Sequence, residues 1–146
     1  MRILLIALSL LFAVPASAQT VADVNATIDS VLGDHAAYEE AIGAIKFAIA
    51  EGDAAGVATW VSYPITVSVG GEDVVLENEE QFVDRYDGFM TDDIVEAVAT
   101  QDYENLFVNA DGVMFGNGQL WLNGICKDTA CTAFDVRIIT IQSTAD

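Results

Sequence analysis

The sequence predicts a single α+β domain in which helices pack on one face of a mostly antiparallel sheet. The first observation is the order of hydrophobic periodicities, because helical spacing dominates residues 21–61 and strand-like spacing dominates residues 106–141. The second is length: roughly 130 residues follow residue 18, which suits one hydrophobic core. The third is the lack of any internal repeat, low-complexity tract or linker in the sequence.

The first eighteen residues have the organisation of a secretory signal peptide. Arg2 precedes an apolar run at 3–14 that contains no charge and only one polar residue, Ser9, and the run is followed by Pro15 and the small-residue tripeptide 16–18. This order predicts cleavage before Gln19. The apolar run is too short to span a bilayer as a retained helix. We therefore expect a periplasmic or secreted mature chain without a membrane span.

The mature chain is strongly acidic. Four basic residues (Lys46, Arg85, Lys127 and Arg137) face 23 acidic residues after residue 18, which gives a net charge of −19. Coulomb repulsion excludes DNA, RNA and anionic lipid as partners, because no Lys/Arg cluster offsets it. The charge predicts either a well-solvated surface or attraction to a basic partner protein.

Cys126 and Cys131 predict a structural disulfide, because cysteine pairs in an oxidising compartment are normally bonded. The chain-entropy relation gives such a small loop about 2 kcal/mol of stabilisation. A zinc site would need about four ligands, whereas the only histidine, His35, is far away in sequence. A redox pair usually has two intervening residues, and this pair has four. We expect no metal and no cofactor.

Helical spacing predicts an N-terminal extension and the first helix of the domain. The extension covers residues 19–33, and the domain covers residues 34–146. Asp34 is placed to cap the domain's first helix, and Gly52 is placed to end it. Four apolar residues share one face of this helix at spacings of four, three and four: Tyr38, Ile42, Ile45 and Ile49.

A short helix and a hairpin follow. Asp53 can cap the short helix, which would carry Trp60 and Val61 before Pro64 forbids its continuation. Two strands joined by a glycine pair at 70–71 then predict a hairpin, since glycine readily adopts positive φ.

A longer helix begins at Asn78, with Gln81 placed to complete a capping box. Its apolar stripe consists of Phe82, Tyr86, Phe89 and Met90. Thr91, followed by two aspartates, starts a further helix. Short strands are then predicted at 106–108, 113–115 and 118–122, with a final strand at 132–141 whose length indicates a central position in the sheet.

Asp135 and Arg137 are the strongest candidates for chemistry. They lie two residues apart on the final strand, so their side chains share one face, with Ile139 and Ile141. If that face lines a pocket, Asp135 is a candidate general base. The alternative is a surface ion pair, which is favoured because Phe134, Val136 and Ile138 form the better core face.

The aromatic residues allow two interpretations. They either line a cavity for a small apolar ligand or fill the core. The candidate pocket residues are Trp60, Tyr63, Phe82, Tyr86, Phe107 and Trp121, with Phe115 as a further aromatic. Tyr86 is also a weak catalytic candidate through its hydroxyl group, although such a tyrosine is more often a core residue.

The order of elements resembles the nuclear transport factor two-like superfamily, over Asp34 to Ile141. The segments that carry this resemblance are 60–64 (WVSYP), the hairpin glycines, 80–87 (EQFVDRYD) and 111–121 (DGVMFGNGQLW). The resemblance implies N-terminal helices on a curved, mostly antiparallel sheet, the cystatin-like cone, with a pocket between them. Similar arrangements occur in small exported bacterial proteins of unassigned function.

The resemblance leaves function open, because this superfamily contains isomerases, dehydratases, binding modules and dimerisation domains. We expect an exported, non-catalytic binding or accessory domain of the cell envelope, with a possible homodimer. One alternative is a lyase or isomerase that uses Asp135 as a pocket carboxylate. The other is an acidic inhibitor or immunity-type protein that binds a basic protein.

Overall fold

The computed structural model describes residues 18–144. The predicted signal peptide lies outside the described residues except for Ala18. The described part of the chain is α+β, as predicted, with five α-helices and two antiparallel sheets of two and four strands. No helix within residues 18–144 is both long and apolar enough to cross a lipid bilayer.

Four of the five α-helices described begin next to a side chain that caps them, and α5 begins after Thr91 without such a bond. They are α1 (Val21–Val31), α2 (His35–Ala50), α3 (Ala54–Ala58), α4 (Glu79–Phe89) and α5 (Asp92–Thr100), followed by a 3₁₀ turn at Tyr103–Asn105. The carboxylate of Asp34 accepts from Ala36 N–H, and that of Asp53 accepts from Gly56 N–H. α3 ends before Trp60, so Trp60 and Val61 lie beyond the helix that was predicted to carry them.

The Asn78 cap differs in one detail from the predicted capping box. Its side chain accepts from Gln81 N–H, as expected. The Gln81 side chain, however, accepts from Glu77 N–H rather than from Asn78 N–H. The start of α4 is therefore held by two side chains, one bonded to the Gln81 amide inside the helix and the other to the Glu77 amide that precedes it.

The strands form two separate antiparallel sheets. β1 (Ile65–Val69) and β2 (Glu72–Leu76) form the predicted hairpin. Its turn requires Gly70 and Gly71, whose φ angles are 62° and 85°. The second sheet has the order β3 (Phe107–Asn109), β4 (Gly112–Phe115), β5 (Leu120–Cys126) and β6 (Phe134–Ile141).

β6 lies at one end of the four-stranded sheet, so the predicted central position is wrong. The prediction relied on the length of β6. The side of β6 that faces away from β5 is bonded by an irregular segment instead of a strand. Ile138 N–H donates to Trp60 C=O (2.7 Å), and Ser62 N–H donates to Ile138 C=O (2.9 Å). This short parallel bridge covers β6 only around Ile138.

A bulge in β6 changes which residues face the core. Leu120 pairs with Ile141 and Leu122 with Ile138, so one extra residue is accommodated between the two pairs. Ile141 is therefore buried on the inner face with Ile138, and its predicted place beside Asp135 and Arg137 is wrong.

The core lies between the inner face of the four-stranded sheet and the helices. α1 packs on β3, whereas α2 packs on α1, α5 and β6. The predicted stripes of α2 and α4 are buried. The largest side chains with under 2% exposure include Tyr38, Phe82 and Phe115, so the space between helices and sheet is filled by aromatic and aliphatic groups.

Gly124 gives a packing test of this arrangement. A Cβ atom on Gly124 would lie 2.8 Å from Phe134 Cδ2 and 3.2 Å from the Tyr38 hydroxyl oxygen. We expect Gly124→Ala to lower the free energy of unfolding by about 1–3 kcal/mol, because the ring must move in a packed core. Urea unfolding measures the change.

Gly43→Ala is the matched control for this substitution. Nothing lies within 4 Å of a Cβ at Gly43, which is an exposed residue in α2. We expect a gain of about 0.5–1 kcal/mol, since alanine is the better helix former. Equal stability of Gly124→Ala and the parent protein would contradict the described packing of Phe134.

Candidate functional site

A cavity of about 380 Å³ lies between α2 and the partly uncovered side of β6. We call it the notch. It is lined by Ala37, Glu40, Thr59, Trp60, Phe134, Asp135, Val136 and Arg137. The two backbone bonds between Ile138 and the segment 60–62 fix one end of the notch, because they hold this segment against β6. The notch therefore contains both charged candidates from the sequence together with one candidate aromatic residue.

Backbone groups of β6 form the floor of the notch. Lys127 N–H donates to Ala133 C=O. Because residues of an antiparallel strand bond to the neighbouring strand alternately, the backbone groups of Asp135 and Arg137 bond to β5. Phe134, Val136 and Ile138 then direct their N–H and C=O groups away from β5. The N–H and C=O groups of Ile138 bond to Trp60 and Ser62. The N–H and C=O groups of Val136 bond to nothing within residues 18–144.

Val136 as a whole residue is only 4% exposed, and it lines the notch. Most backbone N–H and C=O groups in folded proteins are paired with protein groups or water. The floor of the notch therefore offers one donor and one acceptor to whatever enters it.

Asp135 sits at the rim of the notch between two cations. Its carboxylate lies 2.7 Å from Lys127 Nζ and 3.3 Å from Arg137 Nη2. The hydrogen bond from Lys127 is the largest cause that lowers the pKa of Asp135, and Arg137 adds to it. Asp135 is therefore ionised and paired at neutral pH.

The disulfide loop positions Lys127. Cys126 and Cys131 are bonded, as predicted, with Cα atoms 4.8 Å apart. Inside the loop, the Asp128 carboxylate accepts from the N–H and hydroxyl groups of Thr132. The bond of Lys127 N–H to Ala133 C=O (2.8 Å) extends the β5–β6 ladder into the loop. This closed loop holds the ammonium group of Lys127 beside Asp135.

The opposite wall of the notch is acidic and aromatic. Glu40 is exposed on α2, and it forms no ion pair among the residues that the structure describes. Trp60 is half-buried and contributes an indole ring. Arg137 Nη1 donates to Thr59 C=O, which fixes the guanidinium group across the end of the notch. Glu40 is the charge that remains without a counterion.

The aromatic pocket candidates lie in three separate places. Tyr63, Phe82 and Tyr86 form one packed cluster with Phe89, in which neighbouring ring centroids are 5.0–6.2 Å apart. Trp60 lies in the notch, apart from the other candidates. The remaining candidates, Phe107 and Trp121, lie on the outer face of the four-stranded sheet, in T-shaped contact at 6.4 Å. They do not line one common cavity.

The outer face of the sheet is a second apolar surface. Phe107, Met114 and Trp121 occupy one cross-strand row, and Phe107 is 51% exposed. Lys127 and Arg137, two of the four basic residues in the mature chain, border the same face.

Tyr86 is a buried residue with an unpartnered hydroxyl group. Its side-chain oxygen is buried and has no hydrogen-bond partner within the described residues. Burial, followed by the charges of Asp87 and Asp53, raises the pKa of Tyr86. A neutral phenol packed among rings is consistent with a core role.

His35 is paired with Asp29, which the sequence spacing did not reveal. The Asp29 carboxylate accepts from His35 N–H (2.9 Å) and lies 2.8 Å from His35 Nδ1. The hydrogen bond to Asp29 is the largest cause that raises the pKa of His35. Asp34 brings a third possible metal-ligand atom within 4.8 Å. The contacts explain the group as an ion pair that joins α1 to α2.

A slightly larger groove of about 410 Å³ borders the end of α5. Of its three acids, Glu96 and Asp102 are exposed, and Asp93 accepts from the Thr91 hydroxyl and from Thr144 N–H. Two of its amide side chains are already used, because Gln101 accepts from Gly116 N–H and Gln119 accepts from Asn117 N–H. We prefer the notch as the candidate site, since its floor carries backbone groups that bond to nothing within residues 18–144.

Comparison with known proteins finds no matching family model, no similar curated protein and no similar solved structure. The site must therefore be interpreted from its own residues. Sequence reasoning identified Asp135, Arg137 and Trp60, but it missed Glu40 and the backbone of Val136. No local pattern marks either residue, because their roles depend on how α2 and β6 pack.

Tyr86→Phe and Tyr63→Phe test the role of the buried hydroxyl group. Tyr63 donates to Ala58 C=O (3.1 Å), so Tyr63→Phe should lose about 1 kcal/mol of stability. Tyr86→Phe should cause no loss, because the hydroxyl group that it removes has no partner. Urea unfolding compares the two variants. A loss in Tyr86→Phe equal to that in Tyr63→Phe would show that this hydroxyl group has a partner.

Asp135→Asn tests the ion-pair assignment. The folded-state pKa of Asp135 lies below the ordinary value of 3.8. Its stabilisation is therefore present above about pH 4 and is lost as pH falls through the folded-state pKa. We expect Asp135→Asn to lower Tm at pH 7, and the difference from the parent to shrink under acid conditions.

Asp73→Asn is the control, because Asp73 is an exposed strand residue with no ion pair in the described chain. It removes the same negative charge from a very acidic protein. A higher Tm for Asp135→Asn than for Asp73→Asn would indicate a strained functional acid and would overturn the assignment.

Proposed function

We propose that this chain is an exported, non-catalytic binding protein of the cell envelope, and that it takes its ligand in the notch. The observation that carries the proposal is the pair of unpartnered backbone groups on Val136, at the floor of an open cavity. A ligand with one acceptor and one donor would satisfy both groups. The walls of the notch supply charge and an aromatic ring for recognition.

The geometry favours binding over catalysis. The lyase or isomerase alternative needs a carboxylate that accepts a proton near neutral pH, inside a pocket that excludes water. The side chain of Asp135 is 40% exposed, and Lys127 and Arg137 lower its pKa. Such a carboxylate is a weak base. The aromatic cluster around Phe82 is packed, and this leaves little room for a substrate there.

Export is supported by two independent features of the chain. The cysteine pair is bonded, which is typical of proteins in oxidising compartments. The first eighteen residues carry the pattern of a secretory signal. Together they favour a periplasmic or secreted location. The homodimer, the basic partner protein and the small apolar ligand stay predictions.

We also propose the cone-like fold of the nuclear transport factor two-like superfamily for this domain. The order of helices, hairpin, helix and antiparallel meander supports it. The separation of the hairpin from the four-stranded sheet differs from a single continuous cone. An experimental structure with a flat sheet, or with helices on both of its faces, would contradict this proposal.

Binding in the notch can be tested on the exported protein, whose first residue we expect to be Gln19 by mass spectrometry. The probe is N-methylacetamide, a neutral amide whose N–H and C=O point in opposite directions, so that each molecule bonds to one of the two Val136 groups. We expect saturable changes in the NMR resonances of the Val136 amide and the Trp60 indole during titration. An unchanged Val136 amide would contradict the proposed function.

Ala37→Leu and Ala36→Leu form the matched pair of variants. Both positions lie in the first turn of α2, but only Ala37 lines the notch, whereas Ala36 is exposed. The larger side chain at position 37 should remove the response of Val136 to the probe. The same change at position 36 should leave it intact. Equal responses in both variants would place binding elsewhere.

A further inference from the structure

We propose that the ligand of the notch is an extended peptide with basic side chains, which adds to β6 as a short strand. This inference rests on the proposed function of the notch. It names the class of ligand from two features of the notch that N-methylacetamide does not test. The first is the series of backbone groups along β6, and the second is the charge of the notch walls.

The backbone of β6 is arranged to accept another strand. Phe134 and Val136 present their N–H and C=O groups on the same side as Ile138, which already bonds to Trp60 and Ser62. The structure thus contains one example of strand-like pairing on this side, and the notch continues the same edge. From Phe134 to Val136 the edge spans three residues, or about 10 Å.

The peptide backbone is the ligand chemistry that matches this edge. Each residue of an extended peptide offers one N–H and one C=O, and alternate residues direct both groups to the same side. A peptide can therefore pair with Val136 through both groups, as ladder neighbours do. A small apolar molecule would enter the notch without satisfying either group.

Charge determines which side chains the peptide carries. Asp135 is held by Lys127 and Arg137, whereas the carboxylate of Glu40, on the opposite wall, has no ion-pair partner in the described part of the chain. The net charge of −19 on the mature chain also attracts cationic and repels anionic peptides. A lysine or arginine of the peptide can pair with Glu40 while its stem lies near the Trp60 ring.

The experiment uses a capped pentapeptide of alternating lysine and valine, added to the ¹⁵N-labelled mature protein. We expect saturable shifts at the Phe134 and Val136 amides and slower hydrogen exchange at Val136. The same peptide with every backbone nitrogen methylated should bind at least about ten-fold more weakly, because it lacks the donors. A pentapeptide of alternating glutamate and valine should not bind.

Glu40→Gln and Glu39→Gln separate local recognition from general attraction. Both glutamates are exposed on α2 and carry the same charge, but only Glu40 lines the notch. We expect Glu40→Gln to weaken the lysine peptide about three-fold at low salt. Glu39→Gln should leave its Kd unchanged within error. Equal weakening by both variants would show that only overall charge is involved.

The outcomes distinguish this inference from the proposed function. If N-methylacetamide shifts the Val136 amide but the lysine peptide does not, the notch binds ligands and the peptide inference is wrong. If the methylated peptide binds as tightly as the parent peptide, strand addition is wrong. If neither probe shifts Val136, both proposals fail. Shifts confined to the outer-face residues Phe107 and Trp121 would likewise overturn the peptide site.

Discussion

The pairing of Ile138 with the segment Trp60–Ser62 is the constraint on which the rest of the structure depends. The side chain of Ile138 is fully buried, and both of its backbone groups bond across to that segment. One residue thus ties the helical half of the chain to the C-terminal sheet. Because α3 ends just before Trp60, this pairing also sets where the hairpin that follows can lie.

The same pairing produces the notch. A strand at the end of a sheet exposes a row of backbone groups, and proteins usually cover such an edge. Here the segment Trp60–Ser62 covers the edge of β6 at Ile138 and no further. Phe134 and Val136 are shielded by α2 on one side only. The bulge lies on the other side of Ile138, where it turns Ile141 into the core. An uncovered edge of limited length, from Phe134 to Val136, follows from the incomplete cover.

Local sequence patterns predicted most of the elements because the signals act within a few residues. Asp34, Asp53 and Asn78 each cap a helix through an amide two or three residues away. The glycine pair at 70–71 adopts the positive φ angles that its turn requires. The disulfide followed from the cysteine pair and the expected compartment.

The errors occurred where distant parts of the chain decide the outcome. The bulge in β6 depends on its register with β5, and nothing within 132–141 marks it. The end position of β6 depends on Trp60–Ser62, more than seventy residues away in sequence. Asp29 and His35 meet only because α1 and α2 turn at the intervening loop. Candidate site residues were found when they carried charge on β6, and missed when packing alone created their role.

The distribution of the few cations explains why an acidic protein can keep a defined site. Lys127 and Arg137 both contact Asp135, so half of the positive charge in the mature chain is used on one carboxylate. This arrangement holds Asp135 ionised and prevents it from serving as a base near neutral pH. It also leaves Glu40, across the notch, without a counterion. A site that combines one matched acid, one unmatched acid and unpaired backbone is better suited to hold a cationic chain than to transfer protons, because its charges are fixed before any ligand arrives.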